Sequence, residues 1–139
     1  MTPEQNKALV RRYVEATWNQ HDTSVIDELI VADFRQHAAG VPQGREGVKG
    51  FFAMLHGAFP DAQNTIEDMV AEGDKVMWRS TIRATHRGAF RGIPPTGKSV
   101  TLATVNIVRL VDGQIVENWG EQDNLGLLQQ LGVMPAPNS

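Results

Sequence analysis

The sequence predicts an α+β fold, in which helices come first along the chain and antiparallel strands follow. Up to Phe59, apolar residues recur at the three- and four-residue spacing of amphipathic helices. From about Asn64 onwards, apolar residues alternate with polar ones, and turn dipeptides separate the alternating runs. We therefore expect the helices to pack over one face of a curved antiparallel sheet, as a cone that encloses a pocket for a small apolar ligand.

Three helices are expected before the sheet. In the first, Thr2 caps the N-terminus, Pro3 occupies the first helical position and Gln5 completes a capping box. The spacing of apolar residues predicts two more helices, from Thr23 to Ile30 and from Glu46 to Ala58. Their apolar faces are expected to form the roof of the pocket.

Four strands are expected, paired as two hairpins that a loop rich in turn formers connects. The alternating runs extend from Asn64 to Ala71, Lys75 to His86, Ser99 to Leu110 and Gln114 to Gln122. The dipeptides Gly73-Asp74 and Asp112-Gly113 mark the two hairpin turns. A short helix follows from Asp123 to Gly132, so residues 1–134 form a single domain and residues 135–139 a loose tail.

Composition narrows the classes of function. The net charge of −3 leaves no basic surplus for a phosphate backbone, so we expect no nucleic-acid partner. The chain has no cysteine, which excludes disulfides, thiolate nucleophiles and cysteine zinc sites. No two histidines have a metal-ligand spacing, and no apolar run approaches the roughly 20 residues of a membrane span. We therefore expect a cytoplasmic protein that holds no metal and contacts no membrane.

The hairpin at Asp112-Gly113 allows residues to be assigned to faces of the sheet. If pairing continues regularly from Val111 and Gln114, Trp119 lies opposite Asn106, Glu121 opposite Thr104 and Asp123 opposite Leu102. The pocket would then meet Thr104, Asn106 and Trp119 on the sheet side. On the helix side it would meet Trp18 and Phe52.

Asp123 has two interpretations that the residues alone leave open. A carboxylate beside Trp119 and Leu102 would be partly desolvated, which raises its pKa and suits a general acid or base near neutral pH. Asp is equally a preferred N-cap residue, and Asp123 directly precedes the predicted terminal helix.

Two histidines are further candidates. His86 ends a strand on the apolar face, where it could donate a proton or a hydrogen bond to a substrate oxygen, or serve as a hydrogen-bonded strand end. His37 follows Phe34 on a short segment after the second helix, where it would line the pocket mouth or be exposed.

Several blocks of the sequence carry a family resemblance. They are Ala71-Glu72-Gly73-Asp74-Lys75-Val76, Ala84-Thr85-His86-Arg87-Gly88, Gly92-Ile93-Pro94-Pro95-Thr96-Gly97-Lys98, Arg109 ahead of Asp112-Gly113, and Trp119 followed by Asp123, Gly126 and Gln130-Leu131-Gly132. In this order they resemble the SnoaL-like polyketide cyclase, or ester cyclase, family of the nuclear transport factor 2-like superfamily. The resemblance covers nearly the whole chain.

The resemblance implies an activity as well as a fold. Cyclases of this family close a ring by an intramolecular aldol reaction, without a metal or organic cofactor, and the aspartate at the position of Asp123 acts as general acid/base. It also implies a homodimer that associates through sheet surfaces. His86, His37, Thr104 and Asn106 would stabilise the enolate oxygen. The chain departs from the family at Asn118, where a histidine often precedes the tryptophan.

Two other functions remain open at this point. One is a non-catalytic small-ligand-binding or accessory dimeric protein, in which Asp123 only caps a helix. The other is an epoxide hydrolase or isomerase in the same fold. Hydrolysis needs a carboxylate and an arginine around a water, and Asp68 and Arg79 share a face, although that face is expected to point away from the pocket.

Overall fold

The computed structural model describes residues 1–38 and 42–135. The helices are α1 (Pro3–Val14), α2 (Val25–Leu29), α3 (Gly44–Ala58) and α4 (Asn124–Leu131), and a π-helical turn (Glu15–Asn19) continues α1. The strands are β1 (Ile30–Gln36), β2 (Gln63–Glu72), β3 (Lys75–Thr85), β4 (Ser99–Val111) and β5 (Gln114–Gln122). They form one sheet in the order β1-β5-β4-β3-β2. The α+β class is confirmed; the end of the predicted tail, residues 136–139, lies outside the described residues.

Strand β1 was not predicted, and it makes the sheet mixed rather than antiparallel. It runs parallel to β5, pairing Ile30 with Ile115 and Gln36 with Asn118. Its residues do not alternate between buried and exposed, and pairing is irregular between Ile30 and Arg35. Because β1 lacks alternation and follows a helical run of apolar residues, the periodicity of the sequence does not predict it.

The start of α1 is as predicted. The backbone N–H of Gln5 donates to Thr2 Oγ1 at 3.1 Å, and the backbone N–H of Thr2 donates to Gln5 Oε1 at 2.9 Å. This capping box satisfies two N–H groups that have no partner inside the helix. The π-helical turn after α1 contains Trp18, whose indole packs edge-on against Phe51 and Phe52 of α3.

The two hairpin turns are also as predicted, but the pairing register shifts once in each hairpin, between Ile66 and Asp68 of β2 and beside Arg109 and Leu110 of β4. Asp112 and Gly113 both have positive φ, at 50° and 78°, as a type I′ turn requires. Beyond the turn, Leu110 pairs with Ile115 but Arg109 pairs with Glu117, so Val116 is an extra residue in β5. The regular register is therefore wrong beyond Ile115, because a bulge shifts every later residue to the opposite face.

The sheet has two distinct faces. The inner face packs against the helices, and its buried residues include Val76, Trp78 and Ile82 of β3 and Leu102 and Val108 of β4. The outer face has the alternate residues, such as Met77 and Val105, which are 43% and 42% exposed. After the bulge, β5 directs Asn118, Gly120 and Gln122 to the inner face, since they pair with Val108, Asn106 and Thr104.

A loop over residues 86–98 closes one end of this core. The backbone N–H groups of Arg87 and Gly88 both donate to the carbonyl of Ala58 at the end of α3. Gly88 must be glycine there, since a Cβ would lie 2.1 Å from the carbonyl oxygen of Gly57.

Among the described residues, no helix is long and apolar enough to span a membrane.

Candidate active site

An apolar cavity lies between the helices and the inner face of the sheet. The empty space inside it, including its open mouth, is about 510 Å³. Its lining is Trp18, Phe51, Met54, Leu55 and Phe59 from the helical side, Ile82, Ala84, Val100, Leu102 and Gln122 from the sheet, Phe90 and Arg91 from the loop, and Leu127 from α4. Arg91 carries the charge in this lining, and its guanidinium lies 5.0 Å from the centroid of Phe90.

Buried polar side chains continue the inner face beyond the cavity. Ile82 and Leu102 pair with each other in the cavity wall, and the next inner pair along the same strands is Ser80 and Thr104. The pair after that is Trp78 and Asn106. We call these four residues, Trp78, Ser80, Thr104 and Asn106, the inner polar band. Asn106 Nδ2 donates to Thr104 Oγ1 at 2.9 Å.

The inner polar band includes two of the side chains predicted to bind substrate. Thr104 and Asn106 lie on the inner face as expected, since the bulge affects β5 and leaves β4 regular. Ser80 was missed, although it has the same parity as Trp78 and Ile82. Gln122 was also missed, because the regular register assigns it to the wrong face.

Asp123 lies at the N-terminus of α4. Its Oδ1 accepts a hydrogen bond from the backbone N–H of Gly126 at 2.8 Å, and the residue is exposed. Gly126 leaves room for this contact, since a Cβ there would lie 2.1 Å from Asp123 Oδ2. Of the two interpretations of Asp123, this geometry favours the cap. Asp123 directly follows Gln122 in the chain, and of the two residues Gln122 is the one that lines the cavity.

His86 is fully buried between aromatic rings of the cavity wall. Its ring packs against Phe59 and Phe90, with centroid distances of 5.4 and 6.4 Å. The backbone N–H of Thr96 donates to Nδ1 at 3.2 Å, so the proton of the neutral ring is on Nε2. Nε2 is buried and has no partner in the described part of the chain. Through Thr96, His86 anchors the loop that contains Pro94 and Pro95.

The two helical residues that were predicted to bind substrate differ in their position relative to the cavity. Trp18 lines the cavity. Phe52 is 2% exposed and lies behind the lining, where it packs edge-on against Trp18 at a centroid distance of 5.8 Å. Its neighbour Phe51 contacts the cavity instead. Phe52 therefore supports the wall that Trp18 and Phe51 form.

The comparisons with known proteins decide the family. The sequence matches the SnoaL-like polyketide cyclase family over residues 8–131. The chain belongs to this family. It is 30% identical over 129 residues to aklanonic acid methyl ester cyclase DauD of Streptomyces sp. (strain C5), a match that covers 89% of this chain and 80% of DauD.

Other relatives confirm both the family resemblance and the fold. The nogalonic acid methyl ester cyclase of Streptomyces nogalater is 26% identical over 121 residues, covering 84% of this chain and 90% of that protein. The structure of TsrD from Streptomyces laurentii aligns with a TM-score of 0.88 at 28% identity, covering 96% of this chain and 99% of TsrD.

His37 and Trp119 of this SnoaL-like chain are on the outer face of the sheet. Trp119 pairs with Ile107 rather than with Asn106, because of the bulge at Val116. The His37 ring stacks on it at a centroid distance of 5.0 Å and an interplanar angle of 5°. The sheet therefore separates both side chains from the cavity, and the predicted pairing of Trp119 with Asn106 is wrong.

Glu117 organises a charged cluster beside these rings. His37 Nε2 lies 2.5 Å from Glu117 Oε2, and Arg109 Nε donates to Oε1 at 3.0 Å. Arg35 lies 3.9 Å from the same carboxylate. The hydrogen bond from His37, followed by that from Arg109 and the charge of Arg35, lowers the pKa of Glu117. This cluster joins β1, β4 and β5.

Asn118 occupies the position where the family often has a histidine. Its Nδ2 donates to Gln36 Oε1 at 2.9 Å, which ties β5 to β1. Its Oδ1 is buried without a partner in the described residues. No group of three or more His, Cys, Asp or Glu side chains suited to a metal ion occurs in residues 1–38 and 42–135.

Proposed function

We propose that this chain is a cofactor-independent enzyme that acts on a hydrophobic, polyketide-type carbonyl compound, with Asp123 as the acid/base. The observation that carries the proposal is the apolar cavity between Trp18 and Leu102 in a chain of the SnoaL-like polyketide cyclase family. Two of the relatives named above, DauD and the Streptomyces nogalater protein, are methyl ester cyclases, which supports a carbonyl substrate. The reaction we propose is intramolecular aldol cyclisation.

The chemistry requires one base and an environment that stabilises an enolate. A carbon between two carbonyl groups is acidic, so a carboxylate can remove its proton. The resulting enolate attacks a second carbonyl carbon of the same molecule, and one carbon–carbon bond forms. The new alkoxide takes back a proton, which returns the carboxylate to its charged form. No electron is gained or lost overall, so no redox partner is needed.

Asp123 is next in the chain to Gln122, which lines the cavity, and our assignment of the role to Asp123 relies on this neighbourhood. Its Oδ1 is engaged by the Gly126 amide, and the lone pairs of Oδ2 can accept the substrate proton. In the same proposal, His86 donates a hydrogen bond from Nε2, and Thr104 and Asn106 supply further polar groups toward the enolate oxygen. Trp18 and Phe51 enclose the apolar part of the substrate.

The test compares wild type with Asp123→Asn, Asp123→Ala and Glu121→Gln on aklanonic acid methyl ester and other hydrophobic β-keto esters. Asn is as good an N-cap as Asp, so Asp123→Asn should keep the melting temperature while turnover falls by about 10²- to 10⁴-fold. Asp123→Ala should lose turnover and also about 1 kcal/mol of stability. Glu121→Gln, which removes an outer-face carboxylate, should change neither. Unchanged turnover in Asp123→Asn would exclude Asp123 as the base.

One observation favours a second candidate, a non-catalytic ligand-binding protein. Asp123 is exposed and bonded to a backbone amide, which is sufficient to explain it as a cap. Under this alternative the wild type binds hydrophobic ketones but converts none, and Asp123→Asn binds them equally well. Epoxide hydrolysis gains no comparable support, since Arg79 and Asp68 pair with each other on the outer face and are exposed.

We also propose that two copies associate through the outer face. Val70, Met77, Ile107 and Trp119 pair in succession across β2, β3, β4 and β5, and they form an apolar row. Val70 is 57% exposed and Met77 43% exposed. A second copy of the same face would bury this row in a homodimer.

A further inference from the structure

The inner polar band contains two buried donors that the fold does not satisfy. Trp78 Nε1 and Ser80 Oγ have no hydrogen-bond partner in the described part of the chain. Trp78 is 8% exposed and Ser80 1% exposed, so bulk water does not form hydrogen bonds with these two groups. Buried polar groups are nearly always hydrogen-bonded, and an unmade bond costs stability. A ligand atom that reached these two donors would supply the partner that each lacks.

The two residues occupy successive inner-face positions of β3, next to the part of the strand that lines the cavity. Trp78 and Ser80 are neighbours on the inner face of β3, two residues apart, so their positions lie about 7 Å apart along the strand. Ser80 pairs with Thr104, which in turn pairs with Gln122 of the cavity wall. Ile82, the next inner residue of β3, also lines the cavity. The band thus begins where the apolar wall ends.

The chemistry of the band specifies its ligand. The indole N–H is a donor only, and the serine hydroxyl can donate in addition. All four members are uncharged, so a carboxylate or phosphate would lose its hydration without a cation in the band to replace it. An ammonium group would place donor against donor at Trp78. A neutral carbonyl oxygen can accept two hydrogen bonds, so it matches the donors of the band.

Gly120 gives this band the room it needs. It pairs with Asn106, and a Cβ at Gly120 would lie 2.5 Å from Asn106 Oδ1. The Asn106 side chain therefore lies over a glycine in the neighbouring strand, from which it reaches Thr104. Any larger residue at position 120 would displace the amide.

We propose that Trp78 Nε1 and Ser80 Oγ form a subsite that holds one ketone or ester carbonyl oxygen of a neutral ligand whose apolar body fills the cavity. This inference rests on the proposed function, because it needs the cavity to bind a ligand. It assigns the two residues as substrate-positioning groups. It also predicts that an apolar compound with a carbonyl binds better than the same compound without one.

The experiment measures binding rather than turnover. 9-Fluorenone and fluorene have the same three-ring frame and differ at one carbon, which is a carbonyl in the first and a methylene in the second. Dissociation constants for both are measured with wild type, Ser80→Ala and Trp78→Phe. Thr81→Val is the matched control, because it removes the neighbouring hydroxyl from the outer face.

Wild type should bind fluorenone about three- to tenfold more tightly than fluorene, which is the effect of a net hydrogen bond. Ser80→Ala and Trp78→Phe should each reduce this ratio while fluorene binding stays constant, and Thr81→Val should keep it. The infrared carbonyl band of bound fluorenone should move to lower frequency in wild type and move back in both variants. A merely structural role would not change that band.

The outcomes separate the two proposals. If both probes bind with equal affinity, or if neither variant changes the ratio, the carbonyl subsite is wrong and the cavity stands. If neither probe binds to wild type, the cavity fails as a ligand site, and the proposed function fails with it. Water that remains between Trp78 and Ser80 in a crystal structure of the fluorenone complex would also overturn the subsite.

Discussion

Glu117 shows how a single residue links distant parts of the chain. Contacts with His37, Arg109 and Arg35 lower the pKa of its carboxyl from the ordinary value of 4.5. A lowered pKa in the folded state adds stability above the pKa of the unfolded chain, and this stability is lost as the pH falls through the folded value. Glu117→Gln should therefore melt at a lower temperature than wild type at pH 7. The melting temperatures of the two proteins should converge below about pH 4.5.

The measurement is thermal unfolding of both proteins between pH 7 and pH 3. Glu121→Gln is the control, because it removes an outer-face carboxylate from the same strand without disturbing the Glu117 cluster. A constant difference between wild type and Glu117→Gln across this pH range would show that the ionised Glu117 carboxylate does not stabilise the fold.

At the residue scale the sequence predicts some site positions and not others. The alternation along β4 places Thr104 and Asn106 correctly, because that strand is regular. The capping pattern of Asp123 is also visible, since it depends on residues three apart. The contact between His86 and Thr96 is not, because it depends on how a proline-containing loop folds back on the strand.

At the scale of elements, one extra residue decides the composition of the site. The turn at Asp112-Gly113 fixes the register at Ile115, and Val116 then reverses the faces of the rest of β5. Trp119 is thereby moved away from the cavity and Gln122 into its wall. A period-two count cannot detect a bulge, because nothing in the local sequence requires one. Strand β1 was not predicted either, because it follows α2 directly and no turn residue marks its start.

The outer face of the sheet carries the prediction at this scale. If the row of Val70, Met77, Ile107 and Trp119 is a dimer interface, Met77→Glu should produce monomers, because it would bury a charge in an apolar contact. Arg83→Glu, at an exposed outer-face position nearer the end of β3, is the control. Analytical ultracentrifugation distinguishes the two states. A monomeric wild type at micromolar concentration would contradict the interface.

At the scale of the whole molecule, the order of elements was predictable because each half of the chain has its own period. Helical spacing up to Phe59 and alternation after Asn64 are sufficient for an α+β class. The cavity follows from laying helices over one face of a sheet. The residues that line the cavity could not be predicted, since they depend on which of Phe51 and Phe52 contacts it.

In the reaction that we propose, Asp123 removes a proton from a carbon between two carbonyl groups. The most direct measurement is the exchange of that hydrogen for deuterium in ethyl benzoylacetate, followed by proton NMR in D₂O. We expect wild type and Glu121→Gln to accelerate exchange above the buffer rate, and we expect no acceleration by Asp123→Asn, which keeps the cap. Equal exchange rates with wild type and Asp123→Asn, or with wild type and buffer alone, would contradict this role of Asp123.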